Sequence, residues 1–174
     1  MQHVFWLREN KIAGRAGPDT APWNPTELAQ AGIGAILTVN DGRLVHVEDL
    51  QAAGIEYARI SLSPNAPPRD GDLELCIEAL PRALAFLIQA IESGRTPLIH
   101  CTSGKDRTGL LMCYYLCQCE AYKPRDAINE LRRVRPIGLS APEYEPFAEQ
   151  VLSACAKGPE PDVMSEFHHH PTTK

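Results

Sequence analysis

Residues 96–120 limit the fold more than any other segment. An apolar stretch, Pro97-Leu98-Ile99, runs into a short polar loop and then into an apolar-periodic stretch of Leu110, Leu111, Cys113, Tyr114, Leu116 and Cys117. A short apolar run bounded by loop residues reads as a buried strand, and recurrence every three to four residues reads as a helix. The segment is therefore a strand over Thr96–His100, a tight loop, and a helix from about Thr108. A strand that feeds straight into a helix is a unit of an α/β sheet, so the rest of the chain must supply the neighbouring strands.

It does so by alternation. Short strands are predicted at 4–7 and 11–14, and longer ones at 32–39 and 55–62. Helices are predicted at 25–31, with Asn24 as cap and Pro25 in the first turn, and at 47–53, stopped by Gly54. Further helices are expected at 72–93, 108–120, 124–134 and 142–155. Pro81 should kink or divide the longest of these, and Asp72 is placed to cap it. Between them, Ser63–Gly71 is too rich in proline and glycine for regular structure. The predicted architecture is α/β: a central, mostly parallel β-sheet with helices on both faces, in three layers. At 174 residues the chain is expected to form one domain over 1–157, followed by a polar tail at 158–174 that frays. His168, His169 and His170 are read as part of that tail rather than as a metal site.

The loop after the strand carries the chemistry. Consecutive backbone N–H groups from Thr102, Ser103, Gly104, Lys105, Asp106 and Arg107 would face one concavity, aided by the positive end of the following helix. A phosphate dianion fits such a cradle. Cys101 sits at its base, where the same field favours the thiolate, the nucleophilic form. Arg107 can close the ring with a two-pronged fork that a lysine cannot reproduce. The Thr108 hydroxyl can donate to the Cys101 sulfur, and His100 is expected to orient the loop rather than act as a base. A nucleotide-binding loop fits less well, because Gly104-Lys105 is followed by Asp106 and not by Ser or Thr.

His100, Cys101, five residues, then Arg107, Thr108 and Gly109 make the pattern His-Cys-x5-Arg-[Ser/Thr]-Gly. In this the chain resembles the cysteine-based protein tyrosine phosphatase superfamily. Val4–Leu7 with Ile12–Pro18, Gly32–Val39 and Ala127–Pro136 resemble its compact dual-specificity branch, so the likeness covers roughly residues 4–153. The resemblance implies a signalling hydrolase that needs neither metal nor cofactor. It would release phosphate from phosphotyrosine and phosphoserine or phosphothreonine in proteins, through a phosphocysteine intermediate. Phosphoinositides or other multiply phosphorylated small molecules are the alternative, and Lys105 could meet a second phosphate. A phosphate-binding module without turnover is the third reading.

The family's general acid is usually an Asp on a mobile loop, about thirty residues before the cysteine. Asp70 precedes Cys101 by 31 residues and Asp72 by 29. Asp70 is preferred, because it lies in the Pro/Gly loop. Asp106 resembles the position that some lipid-directed members are thought to use. Ser61-Leu62-Ser63-Pro64-Asn65, where many compact members carry the acid, holds no carboxylate.

Bulk properties narrow the partners. A net charge of −5 argues against nucleic acid, so anion binding has to be local. No apolar run reaches membrane-spanning length and no leader is expected. Six cysteines without a framework spacing suggest reduced thiols and a cytoplasmic protein, expected to be monomeric, with the cysteines other than Cys101 in the core. Under oxidation Cys101 could form a disulfide with any of the five other cysteines. Arg132, Arg133 and Arg135 read as a solvated helix surface.

Overall fold

The computed structural model describes residues 2–156; the predicted tail and its three histidines lie outside the described residues. The elements, in chain order, are β1 (Phe5–Arg8), β2 (Ile12–Ala16), α1 (Pro25–Gln30), β3 (Ile33–Thr38), α2 (Val47–Ala52), β4 (Glu56–Arg59), α3 (Asp72–Glu92), β5 (Thr96–Cys101), α4 (Arg107–Cys119), α5 (Pro124–Val134) and α6 (Tyr144–Ala156). The strands form one sheet in the order β1-β2-β5-β3-β4. Only the β1–β2 hairpin is antiparallel; β5 runs parallel to β2 on one side and to β3 on the other.

That order puts the predicted strand in the centre, where it is buried from Pro97 to Cys101. Side chains alternate across a strand. Leu98 therefore packs with Leu28 of α1 and Leu50 of α2, while Ile99 faces Leu87, Leu111, Ile128 and Val151 from α3 to α6. His100 follows Leu98 towards the α1 face, and Cys101 joins the cluster beneath α4. One-residue alternation thus separates the two chemical groups onto opposite faces. The buried run Thr108–Leu116 makes α4 the axle of its layer, enclosed by the sheet and by α3, α5 and α6.

Five expectations need correction. The longest helix is not divided: it is a single element over 21 residues with Pro81 inside it. Pro81 lies on its exposed face, so the carbonyl it leaves without a helical partner can turn to water. Asp72 is not the cap: Gly71 holds that position at φ 91°, and Asp72 is the first helical residue. β4 ends at Arg59 rather than Leu62, although Ile60 and Leu62 still donate to the carbonyls of Thr38 and Val39. The last helix starts at Tyr144, because Glu143 takes a left-handed φ of 59° after Pro142. The cysteines are also less uniform than expected: Cys76 and Cys113 are buried, Cys117 and Cys155 half-buried, and Cys119 exposed.

Candidate active site

Cys101 ends β5 with 2% of its surface exposed. The chain then turns through 102–106 and enters α4 at Arg107, which aims the free amides of the first helical turn back at the sulfur. What fixes the loop is the disposal of its carbonyls. The Thr102 carbonyl accepts from the Gly17 amide at 3.1 Å, Lys105 from the Leu139 amide at 3.1 Å, and Asp106 from the Leu110 amide at 2.8 Å. The two between are held by one side chain: Arg135 donates through Nη2 to Ser103 at 2.9 Å and through Nε to Gly104 at 3.2 Å. Five consecutive carbonyls are therefore tied outwards. Among the described residues, no protein acceptor is engaged by the amides of 102–107, which are left for a ligand.

Two glycines make this path possible. Gly104 sits at φ 64°, and a Cβ there would run into the Arg15 carbonyl on β2. A Cβ on Gly17 would stand 2.5 Å from the Cys101 carbonyl oxygen. Glycine at 17 lets the β2 extension lie against the end of β5.

The side chains converge as the spacing predicts. Thr108 lies inside the helix rather than at its cap, and its Oγ1 donates to Cys101 Sγ at 3.2 Å. Arg107 donates through Nη2 to Thr102 Oγ1 at 3.2 Å, so the guanidinium is held at the loop's mouth. Thr102 Oγ1 also accepts from Asn40 Nδ2 at 3.3 Å, tying the mouth to the end of β3. His100 is fully buried, with Nδ1 donating to the Cys101 carbonyl at 3.2 Å and Nε2 2.6 Å from Thr38 Oγ1. The carbonyl fixes the proton on Nδ1, so Nε2 accepts from the threonine. Burial pulls the imidazole down to about 4. It is neutral at physiological pH and touches the Cys101 carbonyl rather than the sulfur.

The three carboxylates differ in how they are held. Asp72 is buried and accepts from the Arg69 amide at 2.6 Å and from Asn65 Nδ2 at 3.0 Å. Desolvation pushes its pKa up, but the Arg69 amide, Ser63 and Asn65 outweigh it, and the net shift is downwards. An ionised group so engaged shapes the 63–71 loop; it is not poised to give up a proton. Asp106 accepts from the Ala141 amide at 3.1 Å through Oδ1, and its Oδ2 is 3.6 Å from Lys105 Nζ. Lys105 also donates to Ser140 Oγ at 3.1 Å, so both are drawn towards the segment before α6. Asp70 is exposed, makes no hydrogen bond or ion pair among the described residues, and lines a surface depression with Arg69, Leu73 and Phe147.

The sequence reading missed three contributors. Arg135 was expected on a solvated surface, yet it carries the loop; nothing local marks it, since the carbonyls it meets lie 31 and 32 positions away. Asn40 had a signal: a polar residue just past a central parallel strand points at the ligand crevice. Tyr144 is buried under the loop with its hydroxyl unpartnered, and burial pushes that hydroxyl well above the ordinary range. Among the described residues, no group of three or more His, Cys, Asp or Glu could hold a metal ion, and no helix is long and apolar enough to cross a membrane.

Comparison with known proteins agrees with this geometry. The family model for the dual specificity phosphatase catalytic domain matches residues 21–151. Dual specificity protein phosphatase 12 of Mus musculus is 30% identical over 166 residues, covering 95% of this chain and 45% of that protein. The chain thus spans less than half the length of that relative. Phosphatidylglycerophosphate phosphatase PTPMT1 of Arabidopsis thaliana is 24% identical over 131 residues, covering 74% of this chain and 37% of that protein. Among solved structures, the active form of Tk-PTP superposes with a TM-score of 0.73 at 21% identity, over 90% of this chain and 98% of that one. At that identity the last comparison speaks for the fold alone.

Proposed function

The chain belongs to the dual specificity phosphatase catalytic-domain family, and on that premise we propose that it hydrolyses phosphotyrosine and phosphoserine or phosphothreonine in proteins through a phosphocysteine intermediate. The observation that carries the reading is the set of five outward-tied carbonyls around Cys101, which leaves the loop amides free for an anion.

Cys101 Sγ attacks phosphorus, the S–P bond forms, and the bond from phosphorus to the leaving oxygen breaks. Arg107 and the loop amides hold the equatorial oxygens where charge develops in the transition state. The leaving oxygen takes a proton from a carboxylic acid, and the resulting carboxylate then accepts a proton from the water that cleaves the S–P bond. Thr108 stabilises Cys101 as it departs as thiolate. Asp70 is the proposed acid, because Asp72 and Asp106 already serve as acceptors in the fold. Protein substrates are favoured over multiply phosphorylated ones because Lys105, the cation suited to a second phosphate, is engaged by Ser140 and Asp106.

The test is phosphate release in EDTA from matched phosphotyrosine peptide, phosphothreonine peptide and phosphoinositide, with Cys101→Ser as blank. Turnover of both peptides that disappears in Cys101→Ser is expected. Preference for the lipid would overturn the substrate class, in line with the name of the Arabidopsis relative, and activity surviving in Cys101→Ser would overturn the mechanism. For the acid, Asp70→Asn should slow alkyl phosphates far more than activated aryl ones. That signature in Asp106→Asn instead would move the role.

A further inference from the structure

Arg15 is a buried charge without a counter-ion. It lies on β2 opposite His100 and is 2% exposed. A guanidinium stays protonated, although burial lowers its pKa. Nη2 donates to the Ala21 carbonyl at 2.8 Å, and Nε is buried with no partner at all. No carboxylate stands within ion-pair reach of Arg15 among the described residues. The Trp23 indole lies beside it, with its ring centroid 5.3 Å away. One carbonyl and one aromatic face offset only part of what an unpaired buried cation costs. The molecule retains this cost at one place, and that place opens on a cavity.

The cavity has a volume of about 460 Å³ and is walled by Arg15, Trp23 and Leu28, with Asn24 and Glu27 on its α1 side. Its size suits a small organic ligand. None of residues 101–108 lines it, so it is separate from the phosphate loop. We propose that this cavity binds a small, flat monocarboxylate, with the carboxylate on Arg15 and the body along Trp23 and Leu28. The carboxylate would meet Nη1, since Nη2 is taken by the Ala21 carbonyl and Nε is closed off, and the indole and leucine supply an apolar wall. Glu27 decides between anion classes: a phosphate dianion would bring twice the charge against the carboxylate already there, whereas a monoanion is neutralised by Arg15.

Trp23 also reports on the site. The chain has two tryptophans, and Trp6→Phe leaves Trp23 as the sole indole. Benzoate titrated into that protein, with no phosphate present, should change the Trp23 emission saturably in the millimolar range or below. Arg15→Met should weaken the response at least tenfold while the protein still unfolds cooperatively. Glu27→Gln, an exposed change that leaves the fold intact, should tighten benzoate binding two- to fivefold by removing the repulsion. No saturable change, or one equal in Arg15→Met, would overturn the site. Should Arg15→Met fail to fold, Glu27→Gln decides: tighter binding supports the proposal and unchanged affinity refutes it. A response to inorganic phosphate that is lost in Arg15→Met, with none to benzoate, would refute the monocarboxylate class. Because turnover is never measured, failure here leaves the catalytic reading untouched.

Discussion

Acid should destabilise this fold through His100, by an amount the structure allows to be worked out. The imidazole has a pKa of about 4 when folded, lowered from 6.5 by burial. Between those values the unfolded chain binds a proton that the folded chain refuses. Stability therefore rises with pH across this window: it is fully present above 6.5 and lost progressively as pH falls towards 4. At pH 5 the two pKa values correspond to a loss of roughly 2 kcal/mol, since each unit of difference is worth about 1.4 kcal/mol. That is a large share of the roughly 5–15 kcal/mol that holds a domain together. The assay is urea unfolding at several pH values from 7.5 to 4.5 for the wild type and for His100→Asn, whose amide can keep the bond to the Cys101 carbonyl. The variant will be less stable throughout, because Thr38 loses its acceptor; only the pH slope is diagnostic. The wild type should lose about 2 kcal/mol more than the variant between pH 7 and pH 5. Equal slopes would refute the argument, because the proton would then be taken up elsewhere.

Three other outcomes follow from the loop. Arg135→Met frees the Ser103 and Gly104 carbonyls and should weaken phosphate binding, read as competitive inhibition, by about tenfold or more, with Arg135→Lys restoring only part, since one ammonium cannot reproduce the fork. Gly104→Ala places a methyl group against the Arg15 carbonyl at a positive φ, so stopped-assay turnover should fall by about a hundredfold while the far-ultraviolet spectrum is preserved. Thr108→Val removes the donor to the sulfur, and a bond to a charged group is worth about 1.5–3 kcal/mol, so rapid-quench experiments should show phosphocysteine accumulating as its hydrolysis slows by ten- to a hundredfold.

Much of this site was legible because its parts are adjacent in sequence. The strand, the turn and the first helical turn occupy residues 96–109, and local rules of periodicity and helix polarity suffice to bring Cys101, Arg107 and Thr108 together. The fold class was legible for a similar reason, since strand and helix alternate along the chain. Pro81 and Asp72 show where local rules stop. A proline is tolerated when its side of the helix faces water, and an aspartate one residue past the cap finds better donors in the loop before it. Neither outcome is a property of the residue itself.

The general acid was not legible for a deeper reason. Cysteine, arginine and amides must be in place before substrate arrives, so the fold ties them down and their partners can be counted. An acid on the 63–71 loop must instead reach the leaving oxygen and withdraw, and a group that moves cannot be held by strong bonds at rest. Of the three aspartates, Asp72 and Asp106 are spent on backbone amides, while Asp70 is exposed. The lack of a tie, usually the mark of an irrelevant surface residue, is on the proposed assignment the property that an acid on this loop would need. Asp70→Asn should therefore leave unfolding by urea within about 0.5 kcal/mol of the wild type, as for an ordinary surface substitution. Hydrolysis of a phosphothreonine peptide should fall steeply in the same protein. A stability loss well beyond that range would mean that Asp70 holds the loop together, and the role of acid would pass to Asp106.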